Sequence, residues 1–91
     1  MSLTLNEAET IAFQAVAFVA ANEEAMAGLL RLTGASLADL KAAIERPEVL
    51  AAFLQFLLQN EARLIEFCQA AGLDPMAPSL ALGAIEQHIS S

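Results

Sequence analysis

Tryptophan and tyrosine are absent from this chain, and it has one cysteine, one histidine, and four basic residues against eleven acidic ones. Each scarcity removes a class of function. Cys68 has no second cysteine for a disulfide and no thiol or histidine at metal-ligand spacing, so a reducing compartment, the cytoplasm, is the expected location. A formal net charge of −7 and a pI near 4.3 oppose phosphate neutralisation, which normally requires a basic face. Without Trp or Tyr there is also no good platform for stacking single-stranded bases, so no nucleic-acid partner is expected.

Long apolar runs are missing too. The two longest stretch from Ile11 to Ala21, broken by Gln14, and from Val49 to Leu58, broken by Gln55. Both fall short of the roughly 20 residues that a bilayer span needs, so no membrane association is expected. Glu7 and Glu9 stand where an export signal would carry basic residues, and nothing else directs export. The four glycines are dispersed and none follows a strand signal, which leaves no phosphate-cradling loop and no cofactor.

What the chain does have is alanine and leucine, the strongest helix formers, with few β-branched residues. Ninety-one residues make a single domain, 1–91, in which surface scaling buries about 64% of the open chain. The reading is all-α, a compact bundle of about six short helices. Thr4 and Glu7 form a capping box that starts a helix from about Leu5 to Ala21. Asn22 caps a second over about 23–33, closed by Gly34. Ser36 and Asp39 open a third, with Leu37, Leu40 and Ile44 on one face, which Pro47 ends near Glu45. Pro47 starts a fourth, reaching about Gln59, and Asn60 and Gly72 bound a fifth that ends near Ala71. Pro78 disturbs the last start, so a loose turn at 75–78 and a helix from about Ser79 to Ile89 are expected.

Phe18, Asn22, Glu23 and Gly34 recur 38 positions on as Phe56, Asn60, Glu61 and Gly72. Met26, Leu29 and Leu30 likewise fall on Leu64, Phe67 and Cys68. Two related three-helix units, 5–45 and 47–89, packed about a pseudo-twofold axis follow from this register. On a helical wheel the fourth helix confines Glu48, Gln55 and Gln59 to a narrow polar stripe, which makes it central. The first confines Thr10 and Gln14 beside Ala17 and Ala21, leaving Ile11, Phe13, Val16, Phe18 and Val19 for the apolar arc. These two helices are expected to form the core pair, each with an arc too wide for one unit to bury.

The run FLLQNEARLIEFCQAAGLDP at 56–75, together with LLRLTG at 29–34, resembles a small bacterial family catalogued as domain of unknown function 3572. The resemblance covers nearly the whole chain. It rests on an apolar helix ending in a polar-acidic pair, a short helix, and a glycine corner that occurs once as LTG and once as AGLDP. The family carries no assigned activity or catalytic residues, so it implies no site.

The residues themselves nominate no catalytic, cofactor-binding or metal-ligating position. Cys68 shares an apolar face with Leu64 and Phe67, where burial raises a thiol pKa and lowers its reactivity. His88 falls in the last turn of the last helix, where the dipole favours a cation. Glu7 with Glu9, and Glu23 with Glu24, sit in first helical turns for the same electrostatic reason. One segment, 26–44, imitates a helix-turn-helix with Gly34 in its turn. Its second helix would offer Lys41 and Arg46 alongside Asp39 and Glu45, which makes a degenerate nucleic-acid-associated regulator the alternative reading. By elimination the sequence favours a protein-interaction or structural module without catalytic activity, although Arg31, Arg46 and Arg63 are the only side chains of the types that dominate interface energetics. No protein partner is identified; wide apolar arcs favour a twofold homodimer.

Overall fold

The Thr4–Glu7 box begins the first helix at the expected residue. Thr4 donates from both its backbone N–H and its hydroxyl to Glu7 Oε1 at 3.0 Å, and the Glu7 N–H returns a bond to Thr4 Oγ1 at 3.1 Å. These bonds, the backbone one foremost, hold the Glu7 carboxyl below its ordinary pKa of 4.5. The stabilisation from the cap is therefore complete above that ordinary value, and it is lost as the pH falls through the lowered one.

In the computed structural model, which describes residues 3–90, six helices follow one another: α1 Leu5–Ala20, α2 Glu23–Thr33, α3 Leu37–Ala42, α4 Pro47–Leu58, α5 Glu61–Ala71 and α6 Ala77–Ser90. There is no strand among the described residues. Positions 1, 2 and 91 of the single domain expected over 1–91 lie outside them. No helix is long and apolar enough to cross a membrane.

Two pairs of helix caps 38 residues apart share their local geometry. Asn22 accepts from the Ala25 N–H and Asn60 from the Arg63 N–H, both at 3.0 Å, with backbone angles of −124°, 109° and −129°, 105°. Gly34 and Gly72 close α2 and α5 in the left-handed region, at φ 72° and 68°. α3 and α6 depart from their expected bounds. α3 stops at Ala42, three residues short of the expected Glu45, because Pro47 holds Arg46 extended at φ −72°, ψ 135°, and residues 43–46 must turn the chain before it. α6 starts at Ala77, two residues ahead of the expected Ser79. Asp74 organises the turn, accepting from the Met76 N–H on its side chain at 2.8 Å and from the Ala77 N–H on its carbonyl at 2.9 Å. Pro78 is then the second helical residue, where an N–H has no intrahelical partner and its loss is harmless.

Packing adds a helix to the expected core pair. α1 meets α4, and α6 lies extensively against both, so three long helices enclose the core. α2 sits on α1 and reaches α4, while α5 sits on α4 and reaches α1. α4 buries Leu50, Ala51, Phe53, Leu54, Phe56 and Leu57, which makes it central as its wheel implies. α1 buries Ala8, Ile11, Ala12, Ala15 and Val19. Phe13 points roughly 145° away from that face at 100° per residue, and it is 43% exposed instead of joining the arc. Where α2 approaches α4, a Cβ at Gly28 would stand 3.1 Å from the Phe56 ring. The Cα extents are 34 × 30 × 17 Å, a slab about two helix layers thick at interaxial spacings of 8–10 Å.

Two glycines predict opposite outcomes. Gly83 lies inside α6 on the exposed side, with nothing within 4 Å of an added Cβ. Gly83→Ala is expected to stabilise the fold by about 1 kcal/mol. Gly72→Ala, at φ 68°, is expected to destabilise it by about 1–2 kcal/mol. Thermal melts should move by roughly 4–8 °C per kcal/mol, in opposite directions. A Gly83→Ala protein no more stable than the wild type would contradict the open environment around that residue.

Candidate functional site

Cys68 lies on the inner face of α5, 2% exposed, with its Sγ 3.9 Å from the Asp74 carbonyl oxygen. Burial pushes the thiol pKa up, and the Asp74 charge adds to the shift. A thiol so placed is a poor nucleophile. His88 is exposed in the last turn of α6. Glu7 is engaged in its cap, and Glu23 and Glu24 occupy the first turn of α2. Glu86 accepts from Gln55 Nε2 at 3.2 Å, bridging α6 to α4. Among the described residues no three His, Cys, Asp or Glu side chains are grouped to hold a metal ion.

The structure also separates the two cations of the helix-turn-helix segment. Lys41 is on α3, which has only six residues, whereas Arg46 lies beyond it as the N-cap of α4. Asp39 is occupied in a capping box with Ser36, accepting at 3.4 Å and returning a backbone bond at 3.1 Å. A recognition helix carrying both Lys41 and Arg46 is thus not formed.

Instead, the geometry offers apolar recesses between helices. A groove of about 340 Å³ runs between α1 and α5, lined by Gln14, Ala17, Phe18, Phe67, Ala70 and Ala71. Its floor is an edge-to-face pair, Phe18 and Phe67, with ring centroids 5.5 Å apart at 62°. Such a pair holds its geometry and leaves a firm apolar surface. Beside it lies the outer face of α1, where Thr10, Phe13, Gln14 and Ala17 are exposed and no charged residue occurs between Glu9 and Glu23. A second cavity, of about 260 Å³, lies beneath α3. A third recess, of about 290 Å³, separates α4 from α6 around the Gln55–Glu86 bond. Exposed Phe13 was placed on the wrong side by the wheel. The signal that locates it is the alanine series Ala8, Ala12 and Ala15, which marks the true inner face when small residues are counted as core.

The family model for proteins of unknown function DUF3572 matches residues 5–88. The chain belongs to this family. The match runs from the first residue of α1 into the last turn of α6, so it spans nearly all of the six helices. No curated protein and no solved structure matches the chain.

The burial of Cys68 has a direct chemical consequence. A thiol-specific reagent is expected to label it slowly in native buffer and at the rate of a free thiol in denaturant. Equal rates in the two conditions would contradict the placement of its side chain.

Proposed function

We propose that the protein is a non-catalytic interaction module that pairs with a second copy of itself about a twofold axis, through the outer face of α1 and the α1–α5 groove. The observation that carries this reading is the uncharged face. A chain of net charge −7 repels its own copies, and screening at physiological salt shortens that repulsion only to about 8 Å. Two copies can meet closely where no acidic side chain intervenes, as along α1 from Thr10 to Ala20. Ala17 lets a facing helix approach, and Phe13 supplies an apolar anchor beside a groove with an aromatic floor. Burying one such phenylalanine contributes about 1.5–3 kcal/mol, and a twofold axis makes the contribution twice.

The lack of catalysis is read from the character of the recesses. Catalytic pockets bring several polar groups to one point. The α1–α5 groove holds one polar side chain, Gln14, and the cavity under α3 holds one, Lys41; the α4–α6 recess gathers Glu48, Gln55, Glu86 and Ser90, but there Gln55 and Glu86 are bonded to each other. The buried thiol, without a partner cysteine in the sequence, fits the reducing cytoplasm.

The same reading includes an internal duplication. α1–α2 and α4–α5 share their asparagine caps, glycine closures and cross-contacts, which supports two copies of one unit related by a pseudo-twofold axis, with α3 and α6 as their divergent third helices.

Size exclusion with light scattering at low and high salt tests the pairing. A mass near twice 9.6 kDa is expected, and high salt should not reduce it, since the interface is uncharged. Ala17→Glu is expected to return the protein to its monomer mass with its helical circular dichroism intact. A wild-type mass of 9.6 kDa in both buffers would overturn the proposal.

A further inference from the structure

The geometry points to a binding site for a single-chain anionic amphiphile, its tail in the cavity beneath α3 and its head held by Lys41 and Arg46. The cavity of about 260 Å³ is walled by Val16, Met26, Leu40, Ile44 and Phe53, with Lys41 as its one charged lining residue. The walls are apolar and the recess opens to solvent beside exposed Ala20 and Leu37, so an occupant whose apolar tail displaces water from those walls is favoured. The void follows from the two halves of the chain. Val16 and Ala20, which line it, stand 38 positions before Leu54 and Leu58, so the first half carries smaller side chains where the second carries leucine. α3 does not close the gap. It has six residues, packs extensively on no other helix, and leaves Leu37 at the cavity edge 42% exposed.

An acidic protein has few places to hold an anion, and one adjoins this cavity. A more polar recess over 41–47 shares Lys41 and Ile44 with it and adds Arg46. That recess carries two cations against one carboxylate, Glu45, while the nearby Asp39 is engaged in its cap with Ser36. Among the described residues no hydrogen bond or ion pair engages the Lys41 ammonium or the Arg46 guanidinium. α4 also opens at Arg46, with Glu48 of its first turn lining the α4–α6 recess instead. An apolar hole joined to two unengaged cations is complementary to an acyl chain ending in a carboxylate. The cations lie on α3 and at the start of α4, away from the pairing surface on α1 and α5, whereas the lining residue Ala20 stands one heptad from Phe13, so the Lys41, Arg46 substitutions test the site independently of that pairing.

Decanoate, titrated below its micelle concentration into the full-length protein and followed by calorimetry and thermal melting, is the probe. Saturable binding of one molecule per chain with a raised melting temperature is expected. Decanol, with the same tail and no charge, should bind at least tenfold more weakly. The doubly substituted Lys41→Ala, Arg46→Ala protein, altered only at exposed side chains, should lose roughly tenfold or more in decanoate affinity. The Val16→Leu, Ala20→Leu protein, which carries the second half's residues, should fold at least as stably and bind no decanoate. Undiminished decanoate affinity in either doubly substituted protein would overturn the proposal. So would binding to anionic phospholipid vesicles without saturable decanoate binding, which would reassign the cations to a membrane surface.

Discussion

Alanine on α1 allows the three long helices to come together. Ala8, Ala12 and Ala15 are fully buried on one face, so the backbone of a neighbouring helix can approach with only a methyl group between. The volume that α1 does not supply comes from α4, whose Leu50, Phe53, Leu54 and Leu57 are at most 1% exposed. α6 lies across both and contributes Pro78, Ala81 and Ile85. Small on one side and large on the other is the arrangement that fills a core to native density without strain. The shorter helices depend on this centre, since α2 and α5 each rest on one of the long helices and reach the other.

The fit between α2 and α4 repeats the principle on a smaller scale. Gly28 leaves room for the edge of the Phe56 ring, and Arg63 from α5 stands over that ring at 4.8 Å. A cation over an aromatic face contributes about 0.5–1 kcal/mol at an exposed site. One phenylalanine of α4 thereby links α2 and α5.

A slab 17 Å deep has little interior relative to its faces. Its accessible surface is 5439 Å², above the roughly 5,000 Å² that scaling gives for this mass. Apolar side chains therefore remain outside, among them Phe13, Leu32, Ile65 and Met76. The two surfaces proposed to bind something differ in their electrostatics. The α1 face is suited to another acidic copy because it carries no charge, and the α3 cavity is suited to an anion because the chain's cations at 41 and 46 flank it. Both lie where residues 38 positions apart differ in size, Phe13 against Ala51 and Val16 and Ala20 against Leu54 and Leu58.

The sequence alone determined the six helices, their order, and most of their ends, including α2 over Glu23–Thr33 to the residue. Those features depend on bonds that close within three or four residues, such as Thr4 with Glu7 and Asn60 with Arg63, and a short pattern carries them complete. The burial of Cys68 was legible for a similar reason, because its stripe with Leu64 and Phe67 has helical spacing. That α6 joins the core, that Phe13 faces out, and that a cavity lies beneath α3 came only from packing. Each of these depends on what a distant segment leaves uncovered. The wheel of α1 puts Phe13 in the apolar arc, whereas packing buries Ala8, Ala12 and Ala15 because their small size lets a second helix come close. The cavity has no signal within any one helix, since it is the difference between the volumes that α1, α2, α3 and α4 bring to one place.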